Sequence, residues 1–384
     1  MGKSWDNTGI ANNKDMWAEC LRVLKPGGHL LAFSGTRTYH RMASAIEDAG
    51  FEVRDMVEWV YSTGFPKSLN IGKAVDKIQG NERKVVAIKE QSGAKFKTVQ
   101  EQMDNGGFND PNRTNFSVDK GTSEWEGWGT ALKPSHEPIC MARKPLSEKT
   151  VADNCLKWGT GGINIDESRV GTEERWNPSN HNKGNTAVTW TGGSETEGRS
   201  CVGRFPANLI HDNSEEVREC FPESGKGNGK GAYNYAGREY DNKDTSMFNG
   251  DKPQAPSNFN DSGNASRFFK SIIYQAKASK SERNKGCEDL EEKQYSHDGR
   301  EKEIENPYQR NKSVAKNNHP TVKPIALMEY LIKMVTPKGG LVLDPFAGSG
   351  STLVAAKQNG FQYIGIEMTE DYIPIIKARL SLPD

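Results

Sequence analysis

The chain has 384 residues, 51 Lys plus Arg against 51 Asp plus Glu, and a hydrophobic fraction of 34%. That is enough for one large or two modest domains, and the balanced charge gives no global signature of nucleic-acid binding while leaving room for a local basic face. Six cysteines without a Cys-x-x-Cys pair argue against zinc or disulfide frameworks and fit a reducing cytoplasm; no metal is expected, and neither a signal peptide nor an apolar run long enough to span a membrane is visible.

In chain order, "DMWAECLRVLKPGG" predicts a helix with Trp17, Cys20, Leu21 and Leu24 on one face, stopped by Pro26, Gly27 and Gly28. "HLLAFSG" reads as a short buried strand, "TYHRMASAIEDAGF" as a second helix ended by Gly50, and "EVRDMVEWVYS" as a strand. The alternation predicts a parallel α/β sheet. After the loop "STGFPKSLN", residues 80 to about 130 lose periodicity, and "HEPICMARKP" returns as a strand with residues 139 to 142 as its apolar centre. Between 146 and 265, "GTGGINIDESRV" and "GRFPANLIHD" read as short strands or turns among Gly/Asn/Ser tracts, with 224 to 264 read as loop.

The basic segment "SRFFKSIIYQAKASKSERN" is more ordered, and 286 to 315 reads as a charged linker. From 319 the pattern is dense. Pro324 suits the first turn of a helix whose face is Leu327, Met328, Leu331 and Val335. A Pro and a Gly-Gly again stop the helix before a buried strand, "GLVLD". The strand "QYIGIE" and the helix "EDYIPIIKARL" follow.

The chemistry concentrates in residues 340 to 372. Asp344 ends a buried strand, and Gly348 and Gly350 permit a tight turn into a helix beginning near Ser351. Backbone can then approach a ligand, and the helix N-terminus favours a negative group. Glu367 ends the next strand about 20 residues beyond the glycines, where an acid can accept both hydroxyls of a ribose. Leu353 stands where Gly-x-Gly-x-x-Gly needs its third Gly, which argues against a dinucleotide-dependent oxidoreductase.

"DPFAGSG" resembles motif I of the S-adenosylmethionine-dependent DNA amino-methyltransferases, and "HPTVKP" resembles the motif X that precedes it in their β class. "LKPGGHLLAFSGTRTYHRMASAIEDAGFEVRD", "WVYSTGFPKSLNIGKAVDK" and "LKPSHEPICMARKPL" are similar to that family's fifth to seventh strands and their loops. The resemblance implies an α/β, Rossmann-like fold in permuted order, with the cofactor half after the catalytic half. It divides the chain into a catalytic half (1–145, with an insertion at about 80–130), an irregular target-recognition region (146–265) and a cofactor half (266–384). It also implies that Asp344, Phe346, Gly348, Gly350 and Glu367, with Thr321, Lys323 and Pro324, hold S-adenosyl-L-methionine. Lys323 is positioned to neutralise the cofactor carboxylate, and His319 is expected to be a hydrogen-bonding residue before the helix. The partner implied is double-stranded DNA, methylated at adenine N6 or cytosine N4 in a bacterial cytoplasm.

The family's Asp/Asn/Ser-Pro-Pro-aromatic segment accepts the amine protons of a flipped base. None of the 18 prolines here is adjacent to another. The catalytic residues are therefore not identified, and the expectation is a fragment lacking the third and fourth strands, with a non-catalytic subunit of a split methyltransferase, completed by an N-terminal polypeptide, as the alternative. The strands "GLVLDPF" and "HLLAFSG", both expected to be buried on two faces, should then stand one strand apart or pair abnormally. Phe65 and Pro66 either line the base pocket or pack their loop; Lys67, Arg267, Lys277, Lys280 and Arg283 are candidates for phosphates. Neither the recognition sequence nor a restriction endonuclease partner is encoded in these motifs.

Overall fold

The structure, a computed structural model, describes residues 8–64, 68–90, 115–177, 199–224, 262–272, 280–295 and 313–382. Helix α1 (Lys14–Val23) is capped by Asn13, whose side chain accepts from Asp15 N, and α2 (Tyr39–Asp48) ends before Gly50, held at φ +103°. Between and after them run β1 (His29–Phe33) and β2 (Glu52–Val60). The chain then forms α3 (Ile71–Gln79), β3 (Lys84–Glu90) and β4 (Asn115–Lys120) before β5 (His136–Arg143).

The expected parallel sheet is a mixed one. β5 inserts between β1 and β2 and runs antiparallel to both, with Leu31 opposite Met141 and Val57 opposite Ile139. A parallel strand needs a crossover to the opposite end of the sheet. Residues 61 to 135 instead leave and rejoin at the same end, Tyr61 N donating to Ser135 O, so β5 has to run back. The stretch from 80 to 130 is accordingly not simply aperiodic, since β3 and β4 form an antiparallel hairpin. Arg83 ties it to α3 and the following turn through Asp76, Asp119 and Glu126.

The period of two along β5 divides the core. Cys140 and Ala142 join Trp17, Met42, Ile46 and Phe51 under α1 and α2, while Ile139 and Met141 join Val57, Trp59 and Ile210 on the other face. Helices α4 (Val151–Trp158), α5 (Glu215–Arg218) and α6 (Lys280–Asn284) precede α7 (Ile325–Val335), which covers that second face. Leu327, Tyr330, Leu331 and Met334 of α7 pack there, and its Ile332 faces Ala355 and Ala356 in a second cluster. Pro324 is the N-cap rather than a first-turn residue.

β6 (Val170–Asn177) and β7 (Arg199–Arg204) form a hairpin, whereas β8 (Leu209–His211) extends the main sheet parallel to β2. After the small β9 (Glu223–Ser224) and β10 (Gly263–Asn264) pair, β11 (Lys270–Ser271) adds to β8. The region expected to be irregular therefore sends a strand into the main sheet, because Leu209, Ile210 and His211 bring a partly buried to fully buried run to the β2 edge. The expected linker likewise contains β12 (Lys293–Tyr295), paired with β13 (Ser313–Ala315), and a fully buried Cys287.

β14 (Leu341–Asp344), α8 (Ser351–Gln358) and β15 (Gln362–Gly365) form a parallel strand–helix–strand unit, followed by α9 (Ile373–Leu380). Among the described residues, β14 ladders only to β15 and β1 only to β5. The halves meet where Trp17 approaches Phe346 edge to face at 6.4 Å. The expectation that β14 and β1 are buried on two faces is not met: Leu341 is 56% exposed, and only Ala32 of β1 is buried. Helices α7 and α8 pack against Val342 of β14.

One buried amide fixes where α4 meets the turn after α1. Asn154 is fully buried; its Nδ2 donates to Pro26 O (2.9 Å) and Thr160 O (2.8 Å), and its Oδ1 accepts from Ser147 N (3.2 Å). Gly27, at φ +78°, leaves room for it, since a Cβ there would lie 2.5 Å from Asn154 Nδ2. Asn154→Ala is expected to lower the unfolding free energy by about 2–4 kcal/mol, because buried polar groups lose their partners. A urea titration checks this, and an unchanged midpoint would contradict it.

Candidate functional site

The turn between β14 and α8 is built by backbone pairing with the β15 end. Ile366 N donates to Asp344 O (2.9 Å) and Ala347 N to Ile366 O (2.9 Å), which carries the contact past the formal strand end at Gly365. Glu367 thus lies two residues beyond the strand rather than at its last position. Its carboxylate accepts from Gly348 N (2.7 Å) and Thr369 N (2.8 Å), locking the turn to the following loop. Gly348 at φ +55° and Gly350 at φ +77° adopt left-handed backbone that other residues rarely hold. Asp344 accepts from Phe346 N (3.0 Å); burial raises its carboxyl above the usual range, opposed by hydrogen bonds from Thr352 and Phe346.

Leu353, at the place of the absent third glycine, is buried with Ala347 and Ile376. Its close approach falls on Gly365, where a Cβ would collide with Leu353 Cδ1. The tight helix–strand contact that a third glycine would serve on the helix is provided by a glycine on the strand.

His319 covers this turn. A Cβ on Gly348 would sit 2.7 Å from His319 Nε2, and the ring meets Tyr372 edge to face at 4.6 Å. The expectation of a hydrogen-bonding residue ahead of the helix describes only part of this: Nδ1 accepts from Thr321 N at 3.3 Å, while the ring packs on the glycine. Helix α6 holds that segment in place. Arg283 Nε donates to Asn317 O (3.2 Å) and its Nη2 to His319 O, Asn317 Nδ2 donates to Arg283 O (2.8 Å), and Asn284 Oδ1 accepts from Asn317 N (3.1 Å). Glu282 Oε1 accepts from Ile325 N (2.7 Å) and supplies the acceptor that the Pro324 N-cap lacks.

Phe346 is exposed beside the turn, Thr321 is exposed and Pro324 buried. Lys323 points to the other half: its ammonium pairs with Glu137 of β5 and lies 4.8 Å from the Phe33 ring and 5.7 Å from that of Trp59. Arg283 spends its guanidinium on the carbonyls above. Arg267 does the same, donating to Gly263 O, Asn264 O (2.7 Å) and Ser224 Oγ (2.6 Å) beside the Phe268 ring. Phe65, Pro66, Lys67 and Lys277 lie outside the described residues, as does the side chain of Lys280 at the start of α6. Reading the sequence alone missed Glu282, Asn317 and the stacking of His319; the polar run "SERN" was the available signal, and its charge pointed to phosphate instead.

Residues 4–378 match the family described as DNA methylase, and the chain belongs to that family. The type II methyltransferase M.ScaI of Streptomyces caespitosus is 44% identical over 69 residues, 18% of this chain and 23% of that protein. M2.DpnII of Streptococcus pneumoniae, also a type II methyltransferase, is 46% identical over 63 residues, 16% of this chain and 24% of its own length. The matched stretches are thus less than a quarter of either relative. The crystal structure of an M1.HpyAVI–SAM complex aligns over 96% of this chain and 82% of its own, at 15% identity and a TM-score of 0.35, a likeness too low to carry an argument. No described helix is long and apolar enough to cross a membrane.

Burial, reinforced by the charges of Arg283, Arg379 and Lys323, pushes His319 down to about 4 from 6.5. The unfolded chain takes up this proton near the ordinary value and the folded chain only near the lowered one. Acidification through that window therefore favours unfolding, and the contribution is intact above it. His29 is also pushed down to about 4, chiefly by burial, and acts in the same direction. His319→Gln is expected to reduce the loss of stability across the window by an amount on the order of 2–3 kcal/mol. Urea unfolding at the two ends of the window measures it; equal losses in both proteins would contradict the account.

Proposed function

We propose that the chain binds S-adenosyl-L-methionine at the turn from Asp344 to Gly350 and serves the methylation of an exocyclic amine, adenine N6 or cytosine N4, in double-stranded DNA. The observation that carries this reading is the Glu367 carboxylate fastened to Gly348 N–H at the carboxyl ends of two parallel strands, in a chain of the DNA methylase family. Such strand ends are where ligands bind in open α/β sheets. Glu367 retains acceptor capacity for ribose hydroxyls, since an ionised carboxylate has about four lone-pair sites and two are engaged. Phe346, Gly348 and Gly350 would border the methionine end, with Thr321, Lys323 and Pro324 alongside. Bound there, the cofactor supplies an electrophilic methyl group; the turn orients it.

The amine of a base is a poor nucleophile, and a protein must take the base from the stack and accept its protons. The sequence has no Pro-Pro dipeptide to furnish those acceptors in the family's manner. We therefore assign them to an Asp-Pro-Pro-aromatic segment from outside these 384 residues, either upstream in a longer chain or on a complementing polypeptide. The edges of β1 and β14 that carry no described ladder support this reading, because they leave backbone donors and acceptors for such a segment to pair with. Phosphate contact falls to Lys67, Lys277 and Lys280, since Arg267 and Arg283 are committed within the fold. We place the reaction in the cytoplasm of a bacterial cell, where its DNA substrate lies.

Calorimetry with S-adenosylhomocysteine and with NAD tests the cofactor reading. Binding of the first alone is expected; Gly348→Val should abolish it, and Glu367→Ala should weaken it by about 1–3 kcal/mol. Preference for NAD, or unchanged affinity in Gly348→Val, would overturn the site. The 384-residue chain alone should not methylate DNA, and a polypeptide carrying the Asp-Pro-Pro-Tyr segment should restore transfer. Methylation by the purified chain alone would refute the assignment of the acceptors.

A further inference from the structure

Arg379 is 2% exposed and lies on the apolar stripe of α9, three and four residues after the buried Ile376 and Ile375. Its guanidinium reaches under the Gly348–Gly350 turn. One nitrogen, Nη1, donates to Ser349 O (2.8 Å), Ser349 Oγ (3.0 Å) and Ser351 Oγ (3.1 Å). Ser349 is the middle residue of Gly-Ser-Gly, and Ser351 opens α8; both are buried. The opposite side of Arg379 is walled by the chain after α6. Gly286, at φ +84°, packs so closely that a Cβ would lie 2.9 Å from Ala378 O and 3.1 Å from Arg379 Cα. Cys287 beside it is fully buried.

No carboxylate forms an ion pair with Arg379 among the described residues, and its Nη2 is buried without a hydrogen-bond partner there. A buried charge of this kind is costly and would be replaced without loss by an apolar side chain if packing were its only task. Its three acceptors all belong to the one turn that faces the ligand. The peptide between Ser349 and Gly350 is held from its amide side by Gly350 N donating to Ala347 O (2.7 Å) and from its carbonyl side by Arg379, so loss of the guanidinium leaves one of two restraints.

We propose that Arg379 is a positioning residue for the cofactor, its guanidinium pinning Ser349 and Ser351 from below so that the turn keeps the shape in which Gly348 and Glu367 together border the ligand. This rests on the cofactor reading above. Arg379 does not touch the ligand; it acts through Ser349. Its charge also lies beneath a helix N-terminus, where it adds to the positive potential offered to the negative end of a ligand.

The test pairs two measurements on the 384-residue chain. Hydrogen exchange reads the amides of the turn without ligand, and calorimetry reads S-adenosylhomocysteine affinity. Arg379→Lys keeps the charge but loses the planar fork, and Arg379→Met removes both. Either should accelerate exchange at residues 348 to 351 and weaken binding roughly 10- to 100-fold, the range for lost hydrogen bonds to a charged group. Lys should bind more tightly than Met. Adding Ser349→Ala to Arg379→Met should cost nothing further, because Ser349 Oγ has already lost its donor. Native exchange and affinity in Arg379→Lys would overturn the proposal, as would additive losses from Ser349→Ala and Arg379→Met. If Arg379→Met does not fold, Arg379→Lys with and without Ser349→Ala decides the same question. Failure of the unsubstituted chain to bind would sink the cofactor reading, and the exchange data would still decide whether Arg379 holds the turn.

Discussion

The bond from Gly348 N–H to the Glu367 carboxylate organises the C-terminal half of the molecule. It joins the turn after β14 to the loop after β15, two strands already parallel in register from Leu341 opposite Gln362 to Asp344 opposite Gly365. That closeness needs small residues where backbone meets side chain. Gly348 lies under the His319 ring and Gly365 under Leu353. The consequence is a turn braced on several sides, by Glu367 in front, His319 above and Arg379 beneath.

The bracing reaches the other half through α7. One side of that helix closes the core of the main sheet, and Ile332 meets α8. Just before it, Lys323 crosses to Glu137 on β5, between the rings of Phe33 and Trp59. Glu282 satisfies the first free amide of α7, and Arg283 fixes the peptide carbonyls before it. The short α6 thus sets where α7 begins, and α7 links the turn after β14 to the sheet. Of the residues that look like a basic, DNA-facing patch in sequence, Arg283 is consumed in that joint.

The parts legible in the sequence were those with strong periodicity or punctuation. Trp17, Cys20 and the Pro-Gly-Gly stop placed α1, and Gly348, Gly350 and Glu367 marked the turn. The orientation of β5 was not legible, because an apolar run reads the same in both directions and only the path of residues 61 to 135 decides it. β8 was ambiguous for its length, three residues that gain strand character only from the β2 edge. Arg267 and Arg283 were read as phosphate candidates because charge in a sequence signals solvent or an anion; in the fold their guanidinium groups donate to backbone carbonyls. Arg379 left one trace, an arginine at a spacing that otherwise carries isoleucine. Lys323 was expected to neutralise the cofactor carboxylate; its ammonium pairs with Glu137, on a strand 186 positions away.

The account stands on what occupies the space in front of Gly348 and Glu367. A crystal structure of the chain with S-adenosylhomocysteine addresses it directly. The predicted result places both ribose hydroxyls within hydrogen-bond distance of the Glu367 carboxylate, with the methionine portion against the turn of residues 346 to 350. Ligand density elsewhere in the molecule, or a ribose held by other residues with Glu367 still closed on Gly348 alone, would contradict it.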